Sequence, residues 1–152
     1  MKRALLLATL VGLLAAGAAT AATPAQYRSH LNRICRGYTP KLKQLKTTMV
    51  KAQQAKDPKS YGTALGQFLF LGLDEDAQIE KVAVPAALRT RMAPIIDRLK
   101  TIDGRVRAAI IYARAGDGTN MSTQLHAVDK LAVGLNAKLD AAGLRDCGSN
   151  QQ

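Results

Sequence analysis

The sequence predicts an all-α protein, an up-down-up-down four-helix bundle closed by one disulfide. Beyond residue 21, apolar residues recur at steps of three and four along four successive segments, without sustained alternation of apolar and polar residues. Proline- and glycine-containing turns separate these segments, and short connections favour antiparallel neighbours. Two cysteines, Cys35 and Cys147, lie near opposite ends of the periodic region and allow a single intramolecular pairing.

The first 21 residues have the layout of a secretory signal peptide. A basic start, Met1-Lys2-Arg3, precedes the apolar run 4–16, and Ala19-Thr20-Ala21 fits the small-x-small cleavage rule. An uncleaved membrane anchor is the alternative, which the short, Ala-rich run and the missing stop-transfer pattern disfavour. We expect residues 1–21 to be a signal peptide and residues 22–152 to be one domain without a transmembrane segment, secreted or periplasmic.

The first helix is predicted from a stripe of apolar residues that share one face. Pro40 interrupts it, because proline removes a backbone hydrogen bond and clashes with the preceding turn. The sequence therefore leaves open whether the helix kinks at Pro40 or breaks there, with Thr39 capping a restarted helix. The stripe comprises Tyr27, Leu31, Ile34, Tyr38, Leu42, Leu45, Met49 and Ala52.

The second helix is predicted to begin at Asp57, an N-cap residue followed by Pro58 in the first turn. Near its end, "DEDAQIEK" places Asp76 and Glu80 one turn apart. Paired carboxylates can bind a cation or transfer protons, but a solvated face that pairs with basic neighbours is the favoured interpretation. The apolar stripe comprises Tyr61, Leu65, Phe68, Gly72, Ile79 and Val82.

The third and fourth helices follow the same periodicity. Pro85 precedes the third, Pro94 is expected to bend its first turns, and Gly116 is placed to cap its end. Asn120 is expected to cap the fourth helix, which ends at Gly143. The stripes comprise Leu88, Met92, Ile95, Leu99, Ile102, Val106, Ala109 or Ile110, and Ala113, and then Met121, Leu125, Val128, Leu131 or Ala132, Leu135, Leu139 and Ala142, with Leu144 packing back.

Charge alternates in sign from one predicted helix to the next. Residues 27–60 carry nine basic and one acidic residue, and residues 61–83 carry one and four. Residues 86–115 carry seven basic and two acidic residues, and residues 117–147 carry three and four. Single ion pairs contribute little, but the pattern disfavours contact between helices one and three. It also predicts that the positive charge forms no single continuous patch.

A structural disulfide between Cys35 and Cys147 is predicted from compartment and topology together. Export permits disulfides, and the start of helix one and the end of helix four lie at the same end of an up-down-up-down bundle. Intermolecular pairing and free thiols are the alternatives. A redox-active pair is disfavoured because the sequence contains no Cys-x-x-Cys motif.

Catalytic and cofactor signatures do not occur in the sequence. Covalent haem needs Cys-x-x-Cys-His, and a di-iron bundle needs Glu-x-x-His pairs that Glu75 and Glu80 do not supply. Non-covalent haem needs an axial ligand, for which His30 and His126 are the candidates, together or with Met49, Met92 or Met121. Both histidines are more readily interpreted as surface or boundary residues. We therefore predict no catalytic residue, no metal site and no resident cofactor.

Three short segments carry a resemblance to other proteins. They are "YRSHLNRICRGYTPKL" with its Asn-x-x-Cys, the "VPAAL" loop and the closing "GLRDCG". Together with the N-terminal layout, they resemble small, uncharacterised exported helical-bundle proteins of bacteria. The resemblance implies a disulfide-closed helical bundle and carries over no functional residues.

Net charge favours an anionic partner. The formal charge of +11 becomes +9 once Lys2 and Arg3 are removed. Nucleic acid is disfavoured, because the chain is exported and is poor in the aromatic residues on which single strands stack. We therefore expect a non-enzymatic protein that binds an anionic cell-envelope component or a protein partner through its surface. An extracytoplasmic haem or metal carrier that uses the bundle core is the alternative, and charge that merely maintains solubility is also open.

Overall fold

The computed structural model describes residues 22–151, and the predicted signal peptide lies outside this range. Within it the elements are α1 (Pro24–Gln54), α2 (Pro58–Glu80), α3 (Arg89–Arg114), α4 (Gly118–Ala132) and α5 (Leu135–Ala141), with 3₁₀ turns at Ala86–Leu88 and Ser149–Gln151. The described range contains no β-strand. The predicted all-α four-helix bundle is confirmed, with α4 and α5 together forming its fourth helix. None of the described helices combines the length and the apolar character needed to span a bilayer.

Helix α1 runs without a break through Pro40. Thr23 starts it with a capping box, in which its hydroxyl accepts from the Gln26 amide and the Gln26 side chain accepts from the Thr23 amide. Thr39 does not cap a restarted helix: its hydroxyl donates to the Cys35 carbonyl at 2.8 Å, one turn back. The apolar stripe on either side of Pro40 holds α1 together at the cost of one backbone hydrogen bond.

The starts of α2 and α4 both depend on aspartate caps. Asp57 accepts from the backbone amides of Lys59 and Ser60, as the sequence predicted. At α4 the cap is Asp117, which accepts from the Asn120 backbone and side-chain amides. The prediction that Asn120 caps α4 is therefore wrong. Asp117 is the better acceptor because its charge also favours the positive end of the helix dipole.

The fourth helix is divided at Gly134. Its φ of 72° is left-handed, so the chain turns between α4 and α5 even though the apolar periodicity continues. Gly116 and Gly143 also have positive φ and end α3 and α5, as predicted. After Gly143, Leu144 returns to the interior and is only 1% exposed. Three glycines thus fix the ends of the helices in this half of the chain.

Two helical hairpins make up the bundle, α1 with α2 and α3 with α4. They meet mainly along α2 and α3 and at one end of the molecule, which we call the disulfide end. The main core cluster lies at this end, whereas α4 contains no buried residue. The largest fully enclosed side chains are those of Tyr27, Leu31, Cys35, Met92, Ile95 and Leu144.

The disulfide end is fastened by the bond between Cys35 and Cys147, whose Cα atoms lie 5.1 Å apart. Polar contacts reinforce it: Arg28 donates to the Ala142 carbonyl at 2.9 Å, and Asn32 donates to the Gly143 carbonyl at 3.0 Å. The Asn32 side chain also accepts from the Asp146 amide. The first turns of α1 therefore bind the segment that follows α5.

Replacing both cysteines (Cys35→Ala with Cys147→Ala) is expected to lower the free energy of unfolding by about 4–5 kcal/mol. The bond closes 112 residues of chain and so restricts the unfolded state. Urea unfolding followed by far-UV circular dichroism measures the loss. Reduced wild-type protein is the control and should match the double variant. Equal midpoints for oxidised and reduced wild type would contradict this prediction.

Candidate functional site

The residues predicted as haem ligands lie on the outside of the bundle. His30 on α1 and His126 on α4 are both exposed, so neither side chain reaches the core. Across residues 22–151, no group of three or more His, Cys, Asp or Glu side chains is placed to hold a metal ion. The described core therefore offers no histidine to the haem- or metal-carrier hypothesis.

A row of four cations lies on the solvent face of α1. We call Arg33, Arg36, Lys43 and Lys51 the basic stripe. Their spacings of three, seven and eight residues keep them on one face of a helix, away from the face that carries its buried residues. All four are exposed, and at 1.5 Å per residue the stripe is about 27 Å long.

Little on α1 neutralises the basic stripe. The 31-residue helix contains no aspartate or glutamate. In the described part of the chain, the one salt bridge joins Arg36 to Asp146 at 3.5 Å, and the Arg36 side chain is still 64% exposed. Such an exposed pair contributes little. The α1 face is thus available to an external anion.

A second feature is a cavity of about 270 Å³ just inside the disulfide end. Helices α1 to α5 and the C-terminal turn all contribute residues to its wall. Most of its lining is aliphatic or aromatic, but Glu75, Asp76, Asn136 and Gln151 bring polar groups to its wall. Leu42 from α1, Phe68 from α2, Leu99 and Ile102 from α3, and Leu139 from α5 supply the apolar part.

Glu75 is the one buried charged residue of the described core, at 6% exposure. The Gln151 side chain donates to its Oε1 at 2.5 Å, which ties the C-terminal turn to the cavity wall. Burial raises the pKa of Glu75 to about 7, against the smaller opposing effect of the Gln151 hydrogen bond. A solvated face was predicted for Asp76 and Glu80 on the same part of α2: Glu80 is exposed, whereas Asp76 is half-buried.

Asp76 faces another carboxyl rather than a cation. Its side chain is in hydrogen-bonding contact with Asp103 of α3, across the junction of the two hairpins. Burial, followed by this contact and the charge of Asp103, raises the pKa of Asp76. Burial also raises the pKa of Asp103, although the hydrogen bond from Asp76 and the nearby Arg107 oppose it. Two carboxyls in contact disfavour the state in which both are ionised.

A gap in the α2 stripe was the sequence signal for the buried Glu75 and the half-buried Asp76. The apolar positions run Leu65, Phe68, Gly72 and then Ile79, so one turn of the stripe has no apolar member. Residues 75 and 76 occupy that turn, which places their carboxyls on the buried side. Nothing in the sequence identified Asp103 as their neighbour, because that contact depends on how α2 and α3 pack.

No protein-family model matches the chain, and no curated protein or solved structure is significantly similar to it. The resemblance to exported helical-bundle proteins stays a prediction. The basic stripe and the carboxyl-lined cavity are the two features of the described residues that bear on function.

Replacing Glu75 with glutamine is expected to stabilise the protein at pH 8 by on the order of 3 kcal/mol and to change little near pH 4. The pKa of Glu75 rises from 4.5 to about 7 on folding. Its contribution is therefore fully present below about pH 4.5 and is lost as pH rises through about 7. The glutamine keeps an oxygen that accepts from Gln151.

Thermal unfolding of both proteins between pH 4 and pH 9 measures this difference. Asp129→Asn, an exposed change on α4, is the matched control and should retain the wild-type pH profile. Parallel profiles for Glu75→Gln and wild type would show that Glu75 titrates normally.

Proposed function

We propose that the protein is exported and non-enzymatic, and that it binds an anionic lipid surface of the cell envelope through the basic stripe of α1. The observation that carries this proposal is a long exposed helix with seven basic residues and no carboxylate. Export is supported by the layout of residues 1–21 and by the disulfide, because such bonds persist mainly in oxidising compartments.

The geometry of the basic stripe suits a flat, multivalent anion. Four cations along about 27 Å of one continuous helix can each meet a separate phosphate group. Arginine and lysine both bind phosphate, arginine through paired N–H donors and lysine as a point charge. Because the cations lie in a row rather than around a pocket, they favour a surface over a single small ligand.

An exposed valine favours lipid over a purely polar polymer. Val50 lies seven residues after Lys43, and so on the same side of α1, and its side chain is 52% exposed. An apolar side chain among cations can enter the headgroup region while the charges contact phosphate. A wall polymer offers the phosphate groups without the apolar layer. An anionic lipid surface therefore accounts for both the row of cations and the exposed valine on this face.

Removing three stripe charges (Arg33→Gln, Lys43→Gln and Lys51→Gln) is expected to weaken binding to phosphatidylglycerol-containing vesicles about 100-fold. Each basic residue near an anionic bilayer contributes about 1 kcal/mol, and 1.4 kcal/mol corresponds to a factor of ten. Arg36 is kept because it pairs with Asp146. Vesicle co-sedimentation of the mature protein at low and physiological salt measures the effect.

The matched control removes the same charge elsewhere. Arg91→Gln, Lys100→Gln and Lys130→Gln lie on α3 and α4, where all three residues are exposed. This triple variant should retain most of the affinity if position on α1 matters. Equal losses of vesicle affinity in both triple variants would mean that binding depends on net charge alone and not on the position of the charges. Binding to lipoteichoic acid but not to vesicles would replace lipid by a wall polymer as the ligand.

A further inference from the structure

The cavity at the disulfide end combines an apolar wall with a buried carboxyl group. Its volume of about 270 Å³ exceeds the roughly 150 Å³ of a protein cavity that binds benzene. It is also partly open to solvent, so a small molecule can reach it while the hairpins stay packed. A mostly apolar space with a few convergent polar groups is typical of a small-molecule site.

Glu75 brings a carboxyl group into this space with half of its acceptor capacity unused. The residue is buried in the cavity wall, and Gln151 donates to its Oε1. Within residues 22–151, the hydrogen bonds leave its Oε2 without a donor. Each carboxylate oxygen can accept hydrogen bonds. Oε2 is therefore open to a donor from outside the protein.

The protein supplies no cation of its own to this carboxyl. The described wall of the cavity contains no lysine, arginine or histidine. Lys46 of α1 lies over the Phe68 ring, 5.9 Å from its centre, and does not belong to the wall. A buried carboxylate costs free energy unless it is paired. A ligand that carries the positive charge would remove that cost.

We propose that the cavity binds a small apolar amine, whose ammonium group pairs with the Glu75 carboxylate while its hydrocarbon part lies against wall residues such as Phe68, Leu99 and Leu139. The volume has room for a six-membered ring with a short aminoalkyl chain. Hydrogen bonds between ionised groups are about twice as strong as those between neutral groups. A neutral ligand leaves the carboxylate unpaired, and an anionic ligand is repelled by it.

Burial gives the pairing a defined pH dependence. It raises the pKa of Glu75 to about 7, so the carboxyl is neutral at pH 5 and ionised at pH 8. The groups that face Glu75 keep this sign: Tyr38 of α1 has its pKa raised to about 12, and Asp76 of α2 only adds negative charge when it ionises. The wall residues from α3, α4, α5 and the C-terminal turn are uncharged: Leu99, Ile102, Ala132, Leu135, Asn136, Leu139, Cys147 and Gln151.

An NMR titration of the oxidised mature protein with phenethylamine, phenethyl alcohol and phenylacetate tests the charge requirement. The probes share a phenyl ring and a short chain and differ in charge. At pH 8 the amine should shift the amides of residues 72–79 and 135–139, the alcohol should bind there about tenfold more weakly, and phenylacetate should leave these amides unshifted. At pH 5 the affinity for the amine should fall about tenfold or more. Failure of the amine to bind saturably at these amides, or equal affinity for amine and alcohol, overturns the proposal.

Removing the charge of Glu75 separates the ion pair from apolar contact. Glu75→Gln keeps an oxygen that accepts from Gln151 and should lower the affinity for phenethylamine at pH 8 to that for phenethyl alcohol, about a tenfold loss. Binding of the alcohol should change little. Asp129→Asn, an exposed change on α4, should bind the amine as the wild type does. Wild-type affinity for the amine in Glu75→Gln would refute the assigned carboxylate.

Filling the cavity tests the position of the ligand. Gly72 lies in the wall, and a Cβ added to it meets no atom within 4 Å, so Gly72→Leu places a side chain in the open space. This variant should weaken the binding of both the amine and the alcohol. Gly62→Leu, at an exposed position of the same helix, is the matched control and should bind both probes normally. Unchanged affinities in Gly72→Leu would place the probes outside this cavity and contradict the proposal.

Discussion

The disulfide between Cys35 and Cys147 is the constraint on which the arrangement of the bundle depends. It joins the first helix to the segment after the last, so both ends of the described chain are fixed at one end of the molecule. Arg28 and Asn32 add hydrogen bonds to carbonyls that helix α5 leaves free. The main core cluster, the hydrogen bonds to the end of α5 and the disulfide therefore all lie within a few helical turns of one another.

Stability concentrated at one end explains how the bundle tolerates the carboxyls of Glu75 and Asp76 in the wall of its cavity. Burying an acid costs free energy unless it is paired with a cation or neutralised by a proton. Glu75 and Asp76 lie beside the main core cluster, where the fastened helices hold them in place. Burial raises the pKa of both carboxyls, so a proton rather than a cation offsets the cost of burying them.

The sequence predicted the helices well because each depends on local periodicity and local caps. Asp57, Gly116 and Gly143 act at the positions that their backbone chemistry favours. Gly134 escaped prediction because the apolar stripe continues across it, and only a positive φ reveals the turn. The aspartate pair escaped for a different reason: Asp76 and Asp103 are 27 residues apart, and their contact depends on the rotation of α2 against α3.

The surface and interior charges are linked by protonation. The formal net charge of +11 counts every aspartate and glutamate as ionised. In the folded protein, burial keeps protons on Glu75 and on the aspartate pair at pH values where free carboxyls have lost them. The folded chain is therefore more positive than its composition indicates, and increasingly so as pH falls from 7. Because α1 contains no acid, that excess adds to the field around a face that is already cationic, so a fall in pH strengthens the attraction of this face for an anion.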